Sequence, residues 1–487
     1  YTGELTVSTG TTTFQSTEAV SIWGRAAIGA TSTFNFNGTT QAMRRLGTFV
    51  NTATLTATNG SLGLVGDGLN GINMINNSAG ASIIDFTGLT SLSFKSTYAG
   101  VPNPQMLGAL FNVGPSALGA GMEFRFANGL NAITAGSTMF GSFSTFAGNI
   151  NQAGQPNTVV KLGGANIFNT DRLQFGFYTA GADVSLTAGV VNPNFIVRGQ
   201  AGGDSRIASF HLGYVSSGGI SSASTLNLTG AANDIRASYF RVGLDDTAGT
   251  SASSTSTLTF DRGLIDAAAF RLADSQTTSA TNSGIYTGIV NQNGGVVRAG
   301  ALVLGRNLNG VTSQRVATYN LAAGDLYVGT ITGTGTNTNA ATVRTLNFTA
   351  AGTGVLHNLD AWTDLTLAGV SATTPGRLNI VLTGPGTIQA DPNRTISVAS
   401  TALISGAGAL VKSGEGTLAI LGQNTFTGGM VVNQGTLTLD FKNATPTSNL
   451  LSGTTTTFTA TGGDYGQNNV AVSSAAGLTV GQIVGGT

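Results

Sequence analysis

Phe210, Phe240 and Phe270 lie 30 residues apart, and their neighbours repeat with them. The copies read Phe210-His211-Leu212-Gly213, Phe240-Arg241-Val242-Gly243 and Phe270-Arg271-Leu272-Ala273, with Leu302-Val303-Leu304-Gly305 as the next. Upstream of the last three stand Ile235-Arg236-Ala237, Ile265-Asp266-Ala267 and Val297-Arg298-Ala299. Further upstream run alternating segments, Thr225-Leu226-Asn227-Leu228 and Thr257-Leu258-Thr259-Phe260, with later variants Thr318-Tyr319-Asn320-Leu321 and Thr345-Leu346-Asn347-Phe348. A two-residue alternation is the mark of a strand with one buried face. Enclosed in a longer period, it marks a repeat unit that cannot bury that face alone.

Winding such strands into coils and stacking the coils buries the apolar faces continuously. The chain is therefore expected to be all-β, a right-handed parallel β-solenoid (β-helix), because parallel crossovers prefer that hand. Equivalent side chains of successive coils would stand about 4.8 Å apart. Like charges stacked at that spacing repel, whereas columns of Thr or Asn hydrogen-bond to themselves. Composition agrees: only 9% of residues are charged, and Gly numbers 71. The scarcity of Lys and Glu argues against exposed helices. The few charges are expected to compensate between sequence neighbours, Asp171/Arg172, Asp204/Arg206, Asp234/Arg236 and Asp261/Arg262.

Composition also excludes functions. Lys+Arg and Asp+Glu balance at 21 each, which gives no electrostatic basis for binding nucleic acid or an anionic membrane. With no Cys there is no disulfide, thiol catalysis or thiolate metal site. No run of 18 apolar residues could span a bilayer as a helix. Absence of Cys suits a cytosolic protein, and equally an exported one that crosses a periplasm unfolded. The start at Tyr1 and the end at Gly485-Gly486-Thr487 read as an internal piece of a longer, processed chain.

Four regions are expected. Residues 1–100 are solenoid with less regular units. Residues 101–200 form a wider or loop-decorated, irregular aromatic region, holding Phe111, Phe124, Phe126, Phe140, Phe143, Phe146, Phe168, Phe175, Phe177 and Phe195. These rings read as a thicker core or as a protruding platform for a partner. Pro102, Pro104 and Pro115 predict a surface loop over 100–118. Residues 201–440 are the regular solenoid with repeats of about 30 residues, and 441–487 are a further β segment continuing into a longer chain.

Few residues carry a chemical signal. No nucleophile elbow is present. His211 falls at the repeat position of Arg241 and Arg271 and reads as an outward structural residue; His357 reads as a turn or face residue. Neither has the spacing of a zinc pair. Asp245-Asp246 is the best carboxylate pair for a glycan-cleaving β-helix, against a solvated turn. Asp360 and Asp364 flank Trp362, a combination that can mark a sugar site. Gly66-Asp67-Gly68-Leu69-Asn70-Gly71 spells a dinucleotide fingerprint, but no amphipathic helix follows it; Asp67 could instead meet Ca²⁺. Arg44-Arg45 is an isolated pair. No catalytic, cofactor-binding or metal-ligating residue is assigned, and no cofactor.

Residues 404–439 carry a longer pattern. Gly406-Ala407-Gly408-Ala409-Leu410-Val411-Lys412-Ser413-Gly414-Glu415-Gly416-Thr417-Leu418 leads into Gly422-Gln423-Asn424-Thr425-Phe426-Thr427-Gly428-Gly429 and closes on Gly435-Thr436-Leu437-Thr438-Leu439. This resembles the autotransporter-associated β-strand repeat, also called the passenger-associated transport repeat, with Phe426 where members usually carry Tyr and Ile420 where Leu is common. The resemblance implies a bacterial exported protein, extracellular or on the outer surface, with a β-solenoid stalk in which the repeat serves folding and export.

The leading expectation is thus a non-enzymatic structural or adhesive rod, open at its ends and able to assemble into a fibre. Its partners would be further copies, neighbouring cell-surface proteins or a glycan. A polysaccharide-active β-helix enzyme is the first alternative, and a non-catalytic glycan-binding adhesin using the aromatics of 101–200 is the second.

Overall fold

The computed structural model describes residues 5–7, 9–13, 21–28, 31–49, 54–64, 72–76, 80–95, 110–115, 120–141, 156–177, 181–215, 222–245, 253–276, 284–307, 313–332, 341–360, 363–371, 376–422, 424–439, 460–462 and 471–472. Among them 32 strands join one hydrogen-bonded sheet, which bends round into three columns of parallel strands. The chain is a parallel β-solenoid.

The first column runs from Gly10–Thr13 through Thr158–Leu162 and Ser254–Phe260 to Ala402–Ser405. The second includes Asn194–Arg198, the start of Ala232–Asp245, Gly386–Gln389 and Leu410–Ser413. The third includes Ile207–Val215, Leu365–Leu367, Thr395–Val398 and Thr417–Ile420. Some strands turn corners without breaking. Ile285–Leu304 (20 residues) and Gln314–Thr332 (19 residues) each serve all three columns. The third column leaves its face through a left-handed residue, Gly213, Gly243, Ala273 or Gly305 in successive coils, which explains the Gly that follows three of the four repeat motifs.

The repeat register holds: Phe210 pairs with Phe240, Phe240 with Phe270, and Phe270 with Leu302. The Phe210 and Phe240 rings stack at 4.3 Å, the Phe240 and Phe270 rings at 4.6 Å. Inward residues of all three columns form one buried core from Phe34 to Phe426. Tyr319 enters it fully, its hydroxyl donating to Gln292 Oε1 at 2.6 Å.

The period is less uniform than the motif. Hydrogen bonds between successive coils join residues 30 apart at His211–Arg241, 40 at Asp85–Arg125 and 42 at Asp183–Thr225. Near the other end the step falls to 20, from Ile404 to Asn424. Perimeter varies because the corners absorb insertions, while the pairing registers stay fixed.

Two expectations are corrected. Residues 110–115 are not loop. Leu110–Pro115 is a third-column strand paired with Ile72–Asn76, with Phe111 and Val113 buried and Pro115 at its end. Residues 101–109 and 116–119 lie outside the described residues. The charge pairs also differ: Arg198 meets Asp234, Arg236 meets Asp204 and Arg206 meets Asp266, all between coils. Side chains close in sequence alternate faces, whereas those in register stack.

Of the aromatic region, Phe111, Phe124, Phe126, Phe140, Phe168, Phe175 and Phe195 point into the core and meet mostly edge-on or tilted, Phe124 and Phe126 at 4.8 Å. Phe143, Phe146 and the Phe177 side chain lie outside the described residues. Ala460–Gly462 and Ala471–Val472 form an antiparallel pair apart from the main sheet.

Candidate functional site

Polar side chains that stand in register from coil to coil form three ladders. The deepest lies where the third column turns into the first. Gln174, His211, Arg241 and Arg271 occupy one register, facing away from the Phe210 core. His211 and Arg241 are nonetheless only 4% and 5% exposed. Arg241 Nη1 lies 2.9 Å from His211 Nε2. A guanidinium only donates, so Nε2 accepts and Nδ1 carries the proton. Gln174 places Nε2 3.2 Å from Nδ1 while its Oε1 is buried without a partner; turning the amide over, which exchanges two nearly indistinguishable atoms, lets the oxygen accept the Nδ1 proton. Burial, and then the charges of Arg241 and Arg172, hold the His211 pKa well below its usual value, so the ring is neutral.

One turn on, Asp274 is fully buried and gathers three guanidiniums: Arg241 Nε at 3.1 Å, Arg271 Nη1 at 3.3 Å, and Arg306 through both Nε and Nη2. Burial lowers the Arg241 pKa and Asp274 opposes the shift. Arg315 donates to the Asp274 carbonyl and to Asn307 Oδ1, with its guanidinium 4.4 Å from the Tyr286 ring centre. Outside this hub Tyr239 is 41% exposed, with the Arg241 and Arg271 guanidiniums 4.6 and 4.8 Å from its centroid.

The second ladder lies on the outer side of the second column, where Arg298, Tyr327 and His357 fall in register. The Tyr327 and His357 rings stack at 4.3 Å, Arg298 sits 5.2 Å over Tyr327, and His357 Nε2 meets Asp325 Oδ1 at 2.9 Å. Partial burial and the nearby Asp325 raise the Tyr327 pKa. Both faces of the Tyr327 ring are thus taken up within the ladder.

The third ladder is amide. Asn347 Nδ2 donates to Asn320 Oδ1, Asn320 Nδ2 to Asn291 Oδ1, each at 2.9 Å, and Asn291 Nδ2 to Thr259 Oγ1 at 3.2 Å. A shorter buried pair, Asn131 and Asn166, closes the corner between the first two columns, each amide bonding a nearby backbone N–H and C=O. The signal for these was the recurring Asn at coil spacing.

At the far end Lys412 occupies a core position, in register with Ile388 before it and Val432 after. Its ammonium donates to the carbonyls of Ser413, Gly414 and Gln434 at 2.7, 2.6 and 3.0 Å, so all three protons are placed. Burial lowers its pKa.

The sequence candidates scatter. Asp245 ends the strand Ala232–Asp245, opposite Val215 and Ser275; its side chain, Asp246, Trp362 and Asp67 lie outside the described residues, as do the Arg44 and Arg45 side chains. The glycine-rich spelling leads into the strand Ile72–Asn76. Asp364 accepts the Thr395 N–H at 2.8 Å, a backbone role at a strand start. Among the described residues no group of three or more His, Asp or Glu is placed to hold a metal ion. Asn128, Ala188, Gly189, Val190 and Val191 line an open depression of about 330 Å³.

Together these features define a rod whose buried polar groups bind one another from coil to coil. Residues 410–439 match the passenger-associated-transport-repeat family. They form about one and a half tight coils, with Lys412 in the core and the strands Met430–Val432 and Thr436–Leu439 as the outermost layer of the ladder. No curated protein and no solved structure matches the chain.

Proposed function

We propose that this chain is the stalk of an exported bacterial surface protein, a passenger whose work is mechanical display or adhesion rather than catalysis. The observation that carries this reading is the coincidence of the passenger repeat at 410–439 with the last layers of an unbroken parallel ladder. Stacked at about 4.8 Å per layer, roughly fifteen coils make a rod on the order of 70 Å long. Its buried carboxylate serves coil-to-coil bonding, with Asp274 held by three arginines.

Antibody labelling and protease shaving of intact cells test the proposal. The expected result is label on the outer surface and release of the chain by protease without lysis. Label confined to the cytoplasm overturns it. Adhesion is checked separately by coating inert beads with the chain: beads that bind no cell, glycan or matrix leave display as the role.

A further inference from the structure

The outer side of the first column changes character along the rod. Between Asp85 and Asp183 it is charged, with Asp85, Glu123, Arg125 and Lys161 in registered strands and Arg125 bridging Asp85 at 2.8 Å. From Ser222 to Phe348 its outward positions are neutral over five layers. One register reads Thr225, Thr257, Ile289, Thr318, Thr345 and the next Asn227, Thr259, Asn291, Asn320, Asn347. Beside them stand Ile285, 45% exposed, Val316 and Val343. Two more layers, Leu378–Leu382 and Ala402–Ser405, extend the face, with Arg377 at its margin. The second column meanwhile carries Asp234, Arg236, Asp266 and Arg298 on its outer side.

Two properties make this neutral face inexpensive to dehydrate. It has no charge to desolvate across its five layers, and its amides already bond one another in the Thr259–Asn291–Asn320–Asn347 ladder. What remains outward is chiefly β-branched, Thr with Ile and Val, so that methyls stand beside neutral hydroxyls. The geometry points to a second copy of this chain as its occupant, the two rods packing side by side through their first-column faces about a two-fold axis. Rows spaced by one strand separation match only a surface with the same spacing, which another copy supplies in full. Five to seven layers, each about 20 Å wide, cover roughly 500–700 Å² per partner, or about 1,000–1,400 Å² in all, which reaches the range of specific interfaces. This lateral contact goes beyond the surface-stalk reading and does not depend on where the rod is displayed.

Sedimentation of the purified chain up to about 1 mM, the weak end of specific association, should show a monomer–dimer equilibrium. Thr257→Lys with Thr318→Lys, two layers apart, should weaken it at least about tenfold, while Asp204→Arg with Arg236→Asp, an ion pair at the corner where the second column meets the third, leaves it unchanged. Because the chain has no Cys, Thr287→Cys provides a second readout that needs no charge: oxidation should trap a covalent dimer, and Ser397→Cys on the third column should not. A chain monomeric throughout overturns the inference. So does a dimer indifferent to the lysines, which would place association at the rod ends, and so does lysine-sensitive binding of monomeric rods to a crystalline polysaccharide.

Discussion

The central coils, from Ile207 to Thr332, and the terminal coils, from Leu378 to Leu439, share three columns and one core but solve the corner differently. The central coils are wide. They stack Phe210, Phe240 and Phe270 inside and bury guanidiniums around Asp274 at the turn. The terminal coils are tight, turn through Gly406, Gly414 and Gly435, and bury one ammonium, Lys412. Each buried cation is neutralised or solvated by groups from a neighbouring coil, so charge that would destabilise a single coil holds two together. Perimeter sets the device: a wide corner has room for a carboxylate and three arginines, whereas a tight one leaves only carbonyls.

The largest expected effect is at the central hub. Asp274→Asn leaves the buried Arg241 and the half-buried Arg271 and Arg306 without their anion and should cost about 3–5 kcal/mol. In a solenoid, neighbours share stability locally, so hydrogen exchange should accelerate around 240–306 and stay unchanged at 410–439. Uniform acceleration would show that the two regions unfold as one unit and break the comparison.

Lys412→Met is the converse. It fills the core position but strips donors from the carbonyls of Ser413, Gly414 and Gln434, costing about 2–3 kcal/mol, with protease cleavage first appearing after residue 400. Thermal melts with site-resolved proteolysis would check it.

Acid should weaken the central coils. The folded pKa of His211 lies below the unfolded value of 6.5, so its contribution is complete above that pH and is lost as the unfolded chain gains a proton the folded one refuses. Stability should fall by up to about 1.4 kcal/mol per pH unit below 6.5. His211→Gln should remove that slope; an unchanged denaturant midpoint between pH 7 and 5 in the unmodified chain would contradict it.

The smallest effect is at the amide ladder. Asn320→Ala interrupts the bonds to Asn291 and Asn347 on a half-exposed face and should cost about 1 kcal/mol in urea melts.

Strand identity and stacking were legible because they rest on local alternation. Leu226, Leu258 and Phe260 point inward whatever else the chain does, and the Phe repeat set the register of three coils directly. The passenger repeat was legible for the same reason, being a run of turn glycines and inward leucines contiguous in sequence. Pro115 misled because a proline that stops a strand still permits it up to that residue. The pairing of Asp204 with Arg206 and of Asp234 with Arg236 misled because neighbours in sequence are not partners across coils.

By itself the sequence determined a neutral, helix-poor ribbon of alternating residues that could bury its apolar side only by stacking parallel layers. The tertiary structure alone decided how long each layer is and therefore which charges meet. Arg206 reaches Asp266 across 60 residues, and Arg315 meets the Asp274 carbonyl across 41. Such partners depend on the summed length of every corner between them, and corner length leaves no trace in the two-residue alternation that forms the strands.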